Sequence, residues 1–188
     1  MKKELLRKLF HVLFGLFIIF TIWFFGTSDA FIGLSILTLI GIMIGISIRK
    51  GAKYPLLQKI IFTVERDHEK HFPGKAAITF FLSACVLLFF FKGQPQIIFA
   101  AILVATLADT AAALIGKKFG KIKIIKNKTL EGTLAFFVVS VFCIGLFYNL
   151  QIAMFCAIFA SIIEPLPWDD NWSVPFAVAL ALKLIPGI

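Results

Sequence analysis

Residues Leu107–Thr133 read LADTAAALIGKKFGKIKIIKNKTLEGT. An aspartate sits inside an apolar helical pattern that runs into a glycine-spaced, lysine-dense loop. The loop closes on Asn127-Lys128-Thr129 and Glu131-Gly132, and a second apolar run begins. A basic, phosphate-sized loop with a carboxylate on either side points to metal–polyphosphate chemistry at a membrane surface.

The rest of the chain places that stretch in a bilayer. Of 188 residues, 60% are hydrophobic, only 15% are charged and 23 are Phe, which lies far outside soluble-domain usage. Apolar runs of roughly 17 to 20 residues recur, and about 20 residues cross a hydrocarbon core. With no water to satisfy backbone groups there, the runs must be helices. The expectation is an all-α polytopic integral membrane protein. Seven spans are expected, near 9–25, 30–48, 76–92, 97–116, 133–149, 151–164 and 174–187, or six if one of the last two is re-entrant. Residues 1–188 read as a single membrane-embedded catalytic domain. The basic N-terminus followed by an apolar run could pass for a signal peptide. The patterned polar face of Glu4–His11 argues against it. Cys85, Cys143 and Cys156 all fall inside apolar runs with no metal spacing and read as small core residues.

Charge sets the orientation. With a cytoplasmic N-terminus, segments 1–8, 49–75, 117–132 and 165–173 share that side, and only Lys92 and Lys183 of 19 Lys and Arg lie at or toward the other. The net charge of +9 then belongs to a cytoplasmic face suited to anionic headgroups or polyphosphate. Glu4, Arg7, Lys8 and His11 fall on one face of the first helix. That face is either an interfacial anchor with an internal ion pair or a wall presenting cations to phosphate. In loop 49–75, Leu56, Leu57, Ile60, Ile61 and Val64 recur at the spacing of an amphipathic surface helix. His68 and His71 beside Glu65 and Glu69 are read as a solvated charged loop in preference to a zinc site. Pro73-Gly74 ends any upstream helix, and Lys75 enters the next.

Asp109 lies twelve residues after Ile97 and seven before Gly116, which is about 10 Å below the helix end. A carboxylate at that depth costs about 2.5–3.5 kcal/mol on insertion scales and marks function by default. Ala108, Ala111, Ala112 and Ala113 keep the helix thin there. Gly116 and Gly120, four apart, let the backbone approach a ligand, and six lysines lie between 117 and 128. The loop is neither a P-loop nor a dinucleotide fingerprint. Thr129 is placed to cap a helix starting near Leu130, whose first amides suit phosphate oxygens. Lys128 adds a point charge, and Glu131 is a candidate for holding a metal or a hydroxyl. The last cluster, Glu164-Pro165-Leu166-Pro167-Trp168-Asp169-Asp170-Asn171, gathers three carboxylates and an amide. These would repel one another without a cation, and hard oxygen ligands select Mg²⁺ or Mn²⁺.

Four stretches, taken in order, resemble a family: the CTP-dependent lipid-alcohol kinases. The group comprises dolichol and polyprenol kinases, CTP-dependent diacylglycerol kinases and phytol kinases, and it is distantly similar to the CDP-diacylglycerol synthases. Asp109-Thr110-Ala111-Ala112 with Gly116–Lys121 and Asn127–Thr133 looks like its signature. Glu4–His11 matches an opening ExxRKxxH face. His71–Phe81 is similar to a central PGKG-like motif, with Ala76 where glycine is usual. Glu164 with Asp169-Asp170-Asn171 and Pro175 matches a closing E…DDNxxxP pattern.

The resemblance implies CTP as phosphoryl donor, Mg²⁺ as cofactor and a membrane lipid alcohol as acceptor. Arg7, Lys8, Lys118, Lys121 and Lys128 would bind the triphosphate, together with Gly116, Gly120, Asn127 and Thr129. Asp109, Asp169 and Asp170 would hold Mg²⁺, with Glu131 orienting a ligand. Asp169, Asp170 or Glu164 would take the hydroxyl proton. Glu4, His11, Lys75 and Asn171 belong to the same motifs. No nucleic-acid partner is expected, and the pattern assigns no oligomeric state. A cytidylyltransferase would use the same metal and CTP to make a CDP-lipid, and a non-enzymatic transporter would also hold an intramembrane Asp109. The acceptor stays open among polyprenol, diacylglycerol, archaeal isoprenoid glycerol lipid and phytol.

Overall fold

The computed structural model describes residues 2–64, 72–125 and 128–187. The expected runs all fold as helix. They are α1 (Lys2–Arg49), α2 (Pro55–Val64), α3 (Lys75–Phe90), α4 (Pro95–Leu103), α5 (Asp109–Phe119), α6 (Leu130–Gly145), α7 (Leu150–Ile163) and α8 (Asp170–Lys183), with a π-helical turn at Val104–Ala108 joining α4 to α5. Among the described residues there is no strand, only an isolated bridge between Lys123 and Thr129.

The first two expected spans share α1, which breaks at Gly26 (φ 76°, ψ 171°). That backbone region is open essentially to glycine alone, so the residue divides 48 residues into two helical arms. The amphipathic helix read in loop 49–75 is α2. The cluster of His68, His71, Glu65 and Glu69 lies outside the described residues. Among the described residues, two helices are long and apolar enough to cross a membrane: Lys3–Arg49 and the continuous Pro95–Phe119. The helices α3, α6 and α7 are apolar but shorter. At 16 residues, α6 is about 24 Å long, less than the roughly 30 Å hydrocarbon thickness.

Packing groups the chain into two compact units, Met1–Phe89 and Phe90–Ile188. In the first, α1 and α3 meet through aromatic rings, including His11 on Phe80 at 4.4 Å and Phe14 on Phe81 at 5.5 Å between centroids. In the second, α5 packs on α6, α6 on α7, α7 on α8 and α8 on α4. Buried Ala153, Cys156, Ala157 and Ala160 form a small-residue stripe on α7 that lets neighbouring backbones approach closely. All three cysteines are free and buried, as small core residues.

Candidate active site

The second unit assembles its polar residues at the start of α5, around the 120–129 turn and at the start of α8. Asp109 follows the π turn directly, and its amide donates to the Val104 carbonyl, five residues back. One wide turn rotates every later side chain relative to α4, and such bulges recur at functional sites. Thr106 and Thr110 hydroxyls donate to the Ile102 and Thr106 carbonyls across the loosened segment, each at 2.6 Å. The Asp109 side chain is buried.

Glycines then decide how α5 meets α6. A Cβ on Gly116 would stand 2.8 Å from the Thr129 hydroxyl, and one on Gly132 would stand 2.9 Å from the Ala112 carbonyl oxygen. A Cβ on Gly120 would collide with the Gly116 carbonyl oxygen and Thr129. The close approach expected at Gly116 and Gly120 is therefore that of the chain to itself. Thr129 caps α6 as expected, its hydroxyl accepting from the Gly132 amide at 3.2 Å.

The described residues on either side of this loop pair with each other. The Ile124 amide donates to the Lys128 carbonyl at 3.0 Å and the Leu130 amide to the Ile122 carbonyl at 2.9 Å. The Glu131 carboxylate accepts from the amides of Lys121 (2.9 Å) and Ile122 (3.3 Å). The helix-start hydrogen bond of its own amide, followed by that of Lys121, holds its carboxyl below the usual range. Glu131 is thus occupied in shaping the loop.

This loop aims Lys128 at the last cluster. Its ammonium lies 2.6 Å from Glu164 Oε1 and 2.9 Å from Asp170 Oδ2. The Thr133 hydroxyl donates to the other Glu164 oxygen at 3.1 Å. Glu164 is only 1% exposed, and each of its carboxylate oxygens has a hydrogen-bond partner. Burial works against the Lys128 charge, but Asp170, Asp109 and Glu164 outweigh it and raise the ammonium well above its usual range. Burial, reinforced by Asp109, pushes the Asp170 carboxyl up to about 6 despite Lys128. Four residues from two distant motifs, Asp109 and Lys128 of one and Glu164 and Asp170 of the other, therefore share one electrostatic environment.

The remaining expected residues stand elsewhere. Asp169 is exposed and caps α8, its Oδ1 accepting from the Asn171 amide at 3.0 Å. Lys118 is exposed and lies over the Phe119 ring at 4.9 Å. Lys121 is exposed as well. Asn127 lies outside the described residues. Glu4, Arg7, Lys8, His11 and Lys75 belong to the first unit, where Arg7 pairs with Glu4, Lys8 is buried and Lys75 opens α3. Thr133 was not singled out from the sequence, although it closes the Asn127–Thr133 motif.

Among the described residues no group of three or more His, Cys, Asp or Glu side chains is arranged to hold a metal ion. The donor chemistry nevertheless suits a hard cation, since the groups gathered near one another are carboxylates. The cation lying between Glu164 and Asp170 is the Lys128 ammonium itself.

Two curated proteins resemble the chain. An uncharacterised protein of Methanocaldococcus jannaschii is 29% identical over 188 residues, covering 96% of this chain and 93% of its own. CTP-dependent diacylglycerol kinase 1 of Schizosaccharomyces pombe is 28% identical over 152 residues, covering 69% of this chain and 68% of its own. No family model and no solved structure matches.

Proposed function

We propose that this chain is a CTP-dependent kinase that phosphorylates the hydroxyl of a membrane lipid alcohol. The observation that carries the reading is the Asp109–Lys128–Glu164–Asp170 cluster, in which one loop lysine pairs with Glu164 and Asp170 of the closing motif in an environment shared with Asp109. The partial similarity to a CTP-dependent diacylglycerol kinase supports lipid-kinase chemistry.

Phosphoryl transfer needs mainly positioning and charge neutralisation. In this reading Lys128 binds phosphate oxygens, and Glu164, fixed by Thr133, holds Lys128 in line. Asp109 and Asp170 would hold Mg²⁺, which supplies further neutralisation of the triphosphate. Asp169, exposed at the head of α8, accepts the hydroxyl proton. The lipid oxygen bonds to the γ-phosphorus as the β–γ bridging bond breaks, and CDP leaves. The 120–129 turn faces the cytoplasm, as the charge distribution favours. In cells, an impermeant thiol reagent applied from outside is expected to leave Lys123→Cys unlabelled on a cysteine-free background, and labelling from outside would reverse the orientation.

A cytidylyltransferase would share every one of these residues, so mutants do not separate the two. CTP labelled at the γ-position is expected to put label into organic-extractable lipid, and CTP labelled at the α-position to put none. Lipid labelled from the α-position, with pyrophosphate released, would replace the kinase by a CDP-lipid synthase.

A further inference from the structure

We propose that α2 and the cations around it form a docking surface for anionic membrane lipid, lying in the headgroup layer beside the end of α1. The surface belongs to the first unit and does not rest on the lipid-kinase reading.

The second arm of α1, residues 27–49, is about 34 Å long, enough to cross a hydrocarbon core of about 30 Å. Its exposed apolar side chains run as far as Met43 and Ile46. Arg49 comes three residues later, about 5 Å further along the axis, so α1 leaves the apolar layer where its cations begin. The chain then turns at Gly51 (φ 97°). The Ala52 amide donates to the Ser47 carbonyl at 2.9 Å, and the Gln58 side-chain amide donates to the Ala52 carbonyl at 3.0 Å. The turn is tied to α1 on one side and to α2 on the other, and α2 packs against α1. That holds α2 at the depth where α1 ends.

The helix has two faces. Leu57, Gln58 and Ile61 are half-buried, and Leu56, Lys59, Ile60 and Thr63 form the opposite, exposed face at i, i+3, i+4 and i+7. Leu56 is 75% exposed. The Thr63 hydroxyl donates to the Lys59 carbonyl at 2.6 Å, so it is already satisfied when this face enters an apolar layer. The Lys59 stem adds apolar surface and lets its ammonium reach the phosphates. In water such a face is unfavourable, and at the boundary between headgroups and acyl chains it is stabilising.

Charge selects the lipid. Arg49, Lys50, Lys53 and Lys59 are all exposed, and no carboxylate lies between Asp29 and Glu65 in the chain. The ion pairs found among the described residues use none of these four cations. A zwitterionic lipid carries its own ammonium beside its phosphate, whereas an anionic lipid brings a charge that these cations alone neutralise. The depth fixed by α1 assigns the apolar face to that lipid and not to a soluble acidic partner.

The test uses the full chain on a cysteine-free background, with Leu56→Cys carrying a fluorophore, in phosphatidylcholine nanodiscs. Equal small amounts of phosphatidylglycerol or phosphatidylcholine with brominated chains are added as quenchers. Brominated phosphatidylglycerol is expected to quench the label several-fold more strongly, with the preference shrinking as salt is raised. Lys53→Gln/Lys59→Gln is expected to remove most of that preference, about fivefold for each cation lost, and Lys53→Arg/Lys59→Arg to keep it. Equal quenching by the two lipids in the unsubstituted protein, or a preference that survives Lys53→Gln/Lys59→Gln, overturns anionic recognition. Absence of quenching by either lipid overturns docking on the bilayer altogether. Neither result bears on whether label passes from CTP to lipid, so this surface and the kinase reading fail separately.

Discussion

Lys128→Ala is expected to cost about 1–3 kcal/mol of stability, the usual consequence of leaving a buried acceptor without its partner, and to abolish CTP-dependent labelling. Glu164 is 1% exposed, and one of its oxygens is held by the Lys128 ammonium at 2.6 Å. Without that ammonium, Glu164 and Asp170 face each other and Asp109 with no positive partner from this loop, in a site where burial already penalises charge. Thermal unfolding of the purified protein in detergent reads the loss. The double variant Lys128→Met/Glu164→Leu removes both members of the pair and is expected to recover much of the stability but none of the activity, because the proposed phosphate ligand is still missing. That split separates the two jobs of Lys128. A Lys128→Ala protein that unfolds at the wild-type temperature would show that the ion pair contributes little to the fold.

The Asp109→Asn change is expected to lower turnover on the order of a hundredfold or more, the scale on which active-site electrostatics act, with the protein folded and inserted. Asparagine keeps the shape of the side chain and its place after the π turn, so packing against α6 persists. The charge that acts on both Lys128 and Asp170 disappears. With Asp109 neutral, Asp170 loses one of the influences raising its carboxyl, so its pKa is expected to fall, which an Asp170-specific titration in the variant would read. Retention of more than half of wild-type turnover at saturating Mg²⁺ would make Asp109 a structural hydrogen-bonding residue and move the proposed metal site elsewhere.

The all-helical character and the places of the apolar helices were legible in the sequence. The seven apolar runs all fold as helix, a form in which the backbone satisfies its own hydrogen bonds. The break at Gly26, the amphipathic α2 and the Thr129 cap follow equally local rules: a φ only glycine tolerates, helical spacing, and a hydroxyl accepting from an amide three residues on. Charge depth singled out Asp109, and motif spacing placed Lys128, Glu164 and Asp170 among the candidates.

Choosing among those candidates took tertiary structure, because spacing determines which residues share a helix face but not which faces meet. Asp169 and Asp170 are adjacent, yet one caps α8 in the open and the other reaches Lys128. Gly116 and Gly120 read as room for a ligand, but the α5–α6 crossing fills that room with Thr129 and Gly132. Glu131 reads as a metal or hydroxyl partner, and the loop geometry turns it onto two amides. Thr133 gains its partner only because α6 and the end of α7 are brought together, and the π turn before Asp109 leaves no mark in residue periodicity. The sequence by itself determined an all-helical apolar chain with a cationic loop between carboxylates. Which carboxylates surround that cation was decided by helix crossings, since an ion pair between residues 36 apart depends on how the intervening elements pack.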